Sequence, residues 1–155
     1  VLLTQLEQVH RAGLVDLLSK TAEFTPEETL VALELIDDGL ANRGDYRFYV
    51  DAEGARVRGY ICFGPAPMTE GTFDLYWICV DQSLKKSGIG RALVRKMEED
   101  LRASHARLVR VETEGTPGYE ATRAFYAALG YEVLATIRDF YAKGRDLVIF
   151  GSYLE

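Results

Sequence analysis

This sequence is short of cysteine, tryptophan, proline and positive charge. It has two cysteines, Cys62 and Cys79. Neither belongs to a CxxC pair or has a histidine beside it, and each lies in an apolar, strand-like run. They read as reduced core thiols rather than as a disulfide or a catalytic nucleophile, and no metal is expected. Eighteen basic side chains against 24 acidic ones leave a net charge of −6. A chain without surplus Lys and Arg is poorly equipped to displace counterions, so nucleic acid is not an expected partner. No apolar run reaches the roughly 18 residues of a membrane span, which argues against a membrane partner. The first residues lack a signal-peptide pattern, so cytoplasm is the expected location. Repeats, low-complexity tracts and Pro/Gly-rich linkers are also missing, and residues 1–155 are expected to form one domain.

What is present is a change of hydrophobic period along the chain. Residues 4–20 read as a helix, with Leu6, Val9, Leu14, Leu17 and Leu18 near helical spacing. A second helix is signalled by Thr25 as N-cap, Pro26 at the first helical position and Glu28 closing a capping box. From Tyr46 the pattern turns to strands: 46–50, 56–63 and 72–80, with Asp51-Ala52-Glu53-Gly54 as turn chemistry between the first two. The third is apolar on both faces, which predicts a central strand covered on both sides. An amphipathic helix over 88–104 follows, buried on Ile89, Leu93, Val94, Met97 and Leu101, with Arg91, Arg95, Glu98, Glu99 and Arg102 on its polar face. Then come a strand over 107–113, a helix over 118–129 ending at Gly130, and strands over 131–138 and 147–153. The order α-α-β-β-β-α-β-α-β-β predicts a mixed α/β sheet flanked by helices. His10 and His105 sit in polar surroundings and read as surface residues.

The segment Lys85-Lys86-Ser87-Gly88-Ile89-Gly90-Arg91 joins the central strand to the amphipathic helix. Glycines let backbone approach a ligand closely and adopt positive φ. The first N–H groups of a helix lack intrahelical partners, and the macrodipole makes that end positive. Together these features suit a phosphate. A P-loop is excluded because GxxxxGK[ST] is absent. A dinucleotide fingerprint is disfavoured because Leu93 stands where its third glycine or alanine belongs. Read alone, the loop is equally a glycine turn with nothing bound.

Two motifs in sequence order tie the chain to a family. Lys85-Lys86-Ser87-Gly88-Ile89-Gly90 resembles the acyl-CoA motif [Q/R]-x-x-G-x-[G/A] of the GNAT superfamily of N-acetyltransferases, with Lys85 where Gln or Arg is usual. Ala124-Phe125-Tyr126 followed by Gly130-Tyr131 resembles the same family's later helix. The resemblance covers about residues 46–153 and implies a mostly antiparallel central sheet. It implies acetyl-CoA as co-substrate, with its pyrophosphate on Lys85, Lys86, Ser87, Gly88, Ile89, Gly90 and Arg91. Its pantetheine would run along the backbone of Ile78, Cys79 and Val80, and a backbone N–H near Val80 would stabilise the oxyanion.

Acetyl transfer needs a neutral amine, a stabilised oxyanion and a proton for the departing thiolate. The resemblance implies Tyr126 as the acid, a phenol whose ordinary pKa near 10 suits that step. On residue pattern alone it also reads as a core aromatic. Glu112, at the end of its strand, is the candidate base, directly or through water, with Glu114 and Asp74 as rivals. Alternation puts Arg110 and Glu112 on one face and Val109, Val111 and Thr113 on the other. It also predicts that Asp74, Tyr76, Ile78 and Val80 share a face. Asp74, Tyr76, Tyr119 and Tyr141 are candidate acceptor-binding residues, with Trp77 beside them. The acceptor is a small-molecule or peptide amine of unspecified identity. A non-catalytic acyl-CoA-binding module is the alternative, and a homodimer through residues 131–153 is a further possibility.

Overall fold

The computed structural model describes all of residues 1–155. The chain opens with a two-residue strand, β1 (Leu3–Thr4), and then two helices, α1 (Arg11–Ser19) and α2 (Pro26–Leu40). Three strands follow: β2 (Arg47–Glu53), β3 (Arg56–Pro65) and β4 (Thr72–Val80). After them come α3 (Ile89–Ala103), β5 (Leu108–Glu114), α4 (Glu120–Ala128), β6 (Glu132–Ala142) and β7 (Arg145–Tyr153). The strands form one seven-stranded sheet in the order β1-β2-β3-β4-β5-β7-β6. Every neighbouring pair is antiparallel except β4 with β5. The mixed, mostly antiparallel architecture expected from the element order is the one observed.

Helices cover both faces, giving two cores. On one face α3 and α4 bury Leu93, Val94, Met97, Leu101 and Tyr126 against Ile61, Phe63, Val109, Val111 and Phe150. On the other, α1 and α2 bury Leu14, Leu18, Ala32 and Ile36 against Val50, Tyr60 and Cys62. Each fully buried aliphatic side chain contributes about 1.5–3 kcal/mol. The cap predicted for α2 forms: Thr25 Oγ1 accepts from Glu28 N–H at 3.1 Å, and Glu28 Oε1 accepts from Thr25 N–H at 3.2 Å. Both cysteines are buried and free. No helix is long and apolar enough to cross a membrane.

Several local expectations are corrected. Residues 4–7 are not helical, and Gln8–His10 form a 3-10 turn that leads into α1. Leu3 and Thr4 pair with Asp51 and Val50, and Leu2 N–H donates to Asp51 Oδ1 at 2.6 Å. A distant strand therefore pulls this segment out of the helix. His10 is buried, at 3% exposure, where its Nδ1 accepts from Glu7 N–H. The expected turn at Asp51–Gly54 is instead strand up to Glu53, and Gly54 (φ +62°) makes the reversal. Asp51 is fully buried against Arg58, at 3.1 Å. Gly118 lies in a 3-10 turn before α4 rather than in the helix. Glu98 is not on α3's solvent face but buried, held by Arg95 at 2.6 Å and by the Tyr131 hydroxyl at 2.9 Å. β6 and β7 run on to a tight turn at Lys143-Gly144.

Candidate functional site

The parallel pairing of β4 with β5 lasts three residues: Thr72, Phe73 and Asp74 face Leu108, Val109 and Arg110. Beyond that point β4 continues to Val80 alongside β3, and β5 continues to Glu114 alongside β7. The two central strands therefore fork. From Leu75 to Val80, β4 keeps a backbone edge with no strand against it, about 20 Å long at ordinary strand rise. At the apex Arg110 Nε donates to Asp74 Oδ1 at 2.7 Å. This ion pair closes the last rung before the strands part.

A β-bulge lies on β4 at Tyr76. Cys62 of β3 faces Trp77 while the next residue, Phe63, faces Leu75. The extra residue reverses the alternation. Phe73 and Leu75 pack in the α3/α4 core before the bulge, and Ile78 and Val80 pack against it afterwards. Trp77 and Cys79 belong to the α1/α2 core. The expectation that Asp74 shares a face with Ile78 and Val80 is thus corrected. Uninterrupted alternation missed it, because bulges are set by cross-strand pairing. Tyr76 lies beside Tyr46, ring centroids 5.5 Å apart, and Trp77 packs edge-on to Phe24 at 5.2 Å.

β4 runs directly into the glycine loop at the open end of the fork. Gly88 caps α3 with φ +91°, and Lys86 also has positive φ, +69°. The N–H groups of Lys86, Gly88, Ile89, Gly90 and Arg91 donate to no protein acceptor, whereas Ser87 N–H donates to Leu84. Five free amides in one loop, at the N-terminus of a 15-residue helix, make a strong site for a pyrophosphate. Gly90 is needed for packing: a Cβ there would stand 3.2 Å from two ring atoms of Phe125 and 3.6 Å from Val80. The side chain of Lys85 turns elsewhere, its Nζ lying 3.2 Å from Glu23 Oε1.

Tyr126 is 2% exposed and packs against Phe125, Tyr131 and Phe150 at 5.3–5.9 Å between ring centroids. Burial pushes its phenol well above the ordinary value. Hydroxyls of Tyr49 and Tyr131 bond to Asp100 and Glu98, but that of Tyr126 has no such partner.

The three carboxylates near the fork differ in their partners. Asp74 is held by Arg110. Glu114 is buried in a two-pronged contact with Arg145, one prong at 3.2 Å. Glu112 alternates onto the same face as Arg110, as expected; it is half exposed, with Arg110 Nη1 4.0 Å away. Arg145 also lies over the Tyr141 ring, 5.9 Å from its centroid. Tyr119 and Tyr141 titrate above the ordinary tyrosine value. Burial raises both, Glu28 and Glu114 act further on Tyr119, and Glu112 and Glu114 on Tyr141. Both rings thus stay neutral hydrogen-bond donors at neutral pH. Arg145 and Glu23 were not legible as site residues, because their partners Glu114 and Lys85 lie 31 and 62 positions away.

Known proteins share this fold. The profile of the acetyltransferase (GNAT) family matches residues 12–131. A GNAT-family protein from Desulfovibrio desulfuricans subsp. is 36% identical, with TM-score 0.92 over 99% of this chain and 98% of its own. An aminoglycoside 6'-N-acetyltransferase solved with coenzyme A is similar at TM-score 0.79 and 16% identity, covering 100% of this chain and 98% of its own. The ribosomal-protein-S18-alanine N-acetyltransferase of Escherichia coli is similar at TM-score 0.76 and 17% identity, covering 99% and 93%. The last two likenesses carry the fold alone. No protein of curated function matches the chain in sequence. The profile match over most of the chain, with the 36%-identical relative, establishes the identity: this chain belongs to the acetyltransferase (GNAT) family.

Proposed function

We propose that this enzyme transfers the acetyl group of acetyl-CoA to a primary amine by direct attack in the fork between β4 and β5. One coincidence carries the reading: the unpaired edge of β4 ends at a loop with five free amides. In this arrangement the free amides of Lys86, Gly88, Ile89, Gly90 and Arg91 hold the pyrophosphate, and the backbone of Ile78, Cys79 and Val80 pairs with the pantetheine arm. The thioester then lies on the unpaired edge of β4 inside the fork, with a backbone N–H near Val80 directed at the oxyanion.

The ammonium first gives up one proton to Glu112, directly or through a water, and the neutral amine then attacks the thioester carbonyl and loses its second proton to solvent water. The carbon–sulfur bond breaks, and the departing thiolate takes its proton from the Tyr126 hydroxyl. Glu112 is preferred as base because Asp74 and Glu114 are each committed to an arginine. Asp74, Tyr76, Tyr119 and Tyr141 border the side from which the acceptor enters. An aminoglycoside and an alanine of ribosomal protein S18 are the acceptors named for two proteins of this fold. A cationic amine suits a chain of net charge −6 through electrostatic steering. A cytoplasmic setting accords with the two free core thiols.

Calorimetry with acetyl-CoA tests the reading, together with CoA release against a panel of aminoglycosides, polyamines and peptide α-amines. Absence of binding at millimolar acetyl-CoA would sink it. Tight binding without transfer to any amine would favour the non-catalytic acyl-CoA-binding module. A Glu112→Gln variant is expected to lose about 10²-fold in kcat near pH 7. The deficit should shrink as pH rises toward and past about 10.4, where a lysine-like amine becomes neutral without help from a base. A deficit that stays constant with pH would remove Glu112 as the base.

The edge strand β6 also supports a homodimer. Val133 and Ile137 are 56% and 46% exposed on it. Antiparallel pairing of two copies about Ala135 would set Glu132 opposite Arg138 and Val133 opposite Ile137. Light scattering on wild type and Ile137→Lys tests this: a monomer in both removes the dimer.

A further inference from the structure

We infer that Lys85 acts as a latch for the α1–α2 segment, held through Glu23, and contributes little to binding the CoA pyrophosphate. The inference concerns the site described under the proposed function and rests on that reading for its ligand.

Residues 21–24 join α1 to α2 and are fastened to β4 and the turn after it by a set of contacts. Thr21 Oγ1 lies 3.1 Å from Cys79 Sγ. Phe24 packs edge-on to Trp77. Between them Glu23 gathers two partners: Lys85 Nζ at 3.2 Å on Oε1, and Gln82 Nε2 at 3.3 and 3.0 Å on the two oxygens. Burial alone would raise the Glu23 carboxyl. Its own backbone N–H and the Lys85 ammonium outweigh that and hold it below the ordinary carboxylate range.

Lys85 is thereby a neutralised partner rather than a free cation at the phosphate site. An ammonium is a single point charge, so one good carboxylate largely satisfies it. Lys86, with φ +69°, turns the chain between Lys85 and the free amides at Gly88–Arg91. Those amides need no side chain to bind an anion. The segment that Lys85 holds leads into α2 through the Thr25–Glu28 capping box. Lys85 thus acts on the α1–α2 segment through Glu23, as a positioning residue.

The test uses Lys85→Met, Glu23→Gln and the charge-swapped double variant Lys85→Glu/Glu23→Lys. Amide hydrogen exchange across residues 20–28 is measured on wild type and each variant without ligand, and calorimetry with acetyl-CoA on wild type and Lys85→Met. Both single variants are expected to speed exchange in 20–28 about threefold or more, and the swap to bring it back within about threefold of wild type. Lys85→Met is expected to weaken acetyl-CoA less than about fivefold, the modest effect of one screened charge. Unchanged exchange in the single variants, no recovery in the swap, or a fivefold or greater loss of acetyl-CoA affinity would each overturn the latch. If wild type binds no acetyl-CoA, the proposed function fails, while the exchange measurements still report on the latch itself.

Discussion

Replacing Tyr126 with Phe is expected to lower kcat about 10²-fold and to leave the acetyl-CoA Kd within about twofold. The ring sits in a cluster with Phe125, Tyr131 and Phe150, and phenylalanine keeps all three ring contacts. Because no protein group is bonded to the hydroxyl, its removal strands no buried partner. What is lost is the proton offered to the departing thiolate. A loss confined to kcat marks an interaction made in the transition state. The pH profile adds an independent reading. Burial holds the phenol well above its ordinary value, so it stays protonated through neutral and mildly alkaline pH. The wild-type rate should therefore show no alkaline fall from this group up to about pH 10, its ordinary value. Unchanged turnover in Tyr126→Phe would return this residue to a packing role.

Gly88→Val is expected to weaken acetyl-CoA by about tenfold or more while the protein stays folded. Gly88 caps α3 with φ +91° and ψ 0°. A β-branched residue is strongly disfavoured there, at about 1–2 kcal/mol for the left-handed region alone. The loop relieves that strain by moving its amides away from where a pyrophosphate would sit. About 1.4 kcal/mol is a factor of ten in Kd. Crowding does not enter, because a Cβ at Gly88 would meet nothing within 4 Å. Gly118→Ala is a suitable control: it also has nothing within 4 Å, and its φ is not positive. It should leave Kd unchanged, as measured by calorimetry. An unaltered Kd in Gly88→Val would show that the amide geometry of this loop does not determine affinity.

Much of this site was legible before the fold was seen. The capping box of α2, the periodic face of α3, the positive φ at Gly88 and the position of Phe125-Tyr126 on a late helix are local features. Each depends on residues within about one helical turn, and such signals survive in a linear sequence. The alternation of Arg110 and Glu112 against Val109 and Val111 was readable for the same reason.

Other features arise only when distant segments meet. The bulge at Tyr76 depends on the register with Cys62 and Phe63, and it moves Ile78 and Val80 off the face of Asp74. Burial of Glu98 depends on the Tyr131 hydroxyl, 33 positions away, which no local pattern connects to it. The commitment of Asp74 to Arg110 and of Glu114 to Arg145, which leaves Glu112 the freest carboxylate, spans 36 and 31 positions. Lys85 depends likewise on Glu23, 62 positions back.

By itself the sequence determined the order of elements, the glycine loop at the start of α3 and the family motifs, because short-range backbone preferences and hydrophobic period encode them. The tertiary structure alone decided where β4 and β5 part, which carboxylate is left without a close cationic partner and where the Lys85 ammonium goes. Those outcomes follow from strand register and from pairing of charges far apart in the chain. Many partners of the right sign satisfy such pairings on paper, and only the folded geometry brings one of them within hydrogen-bond distance.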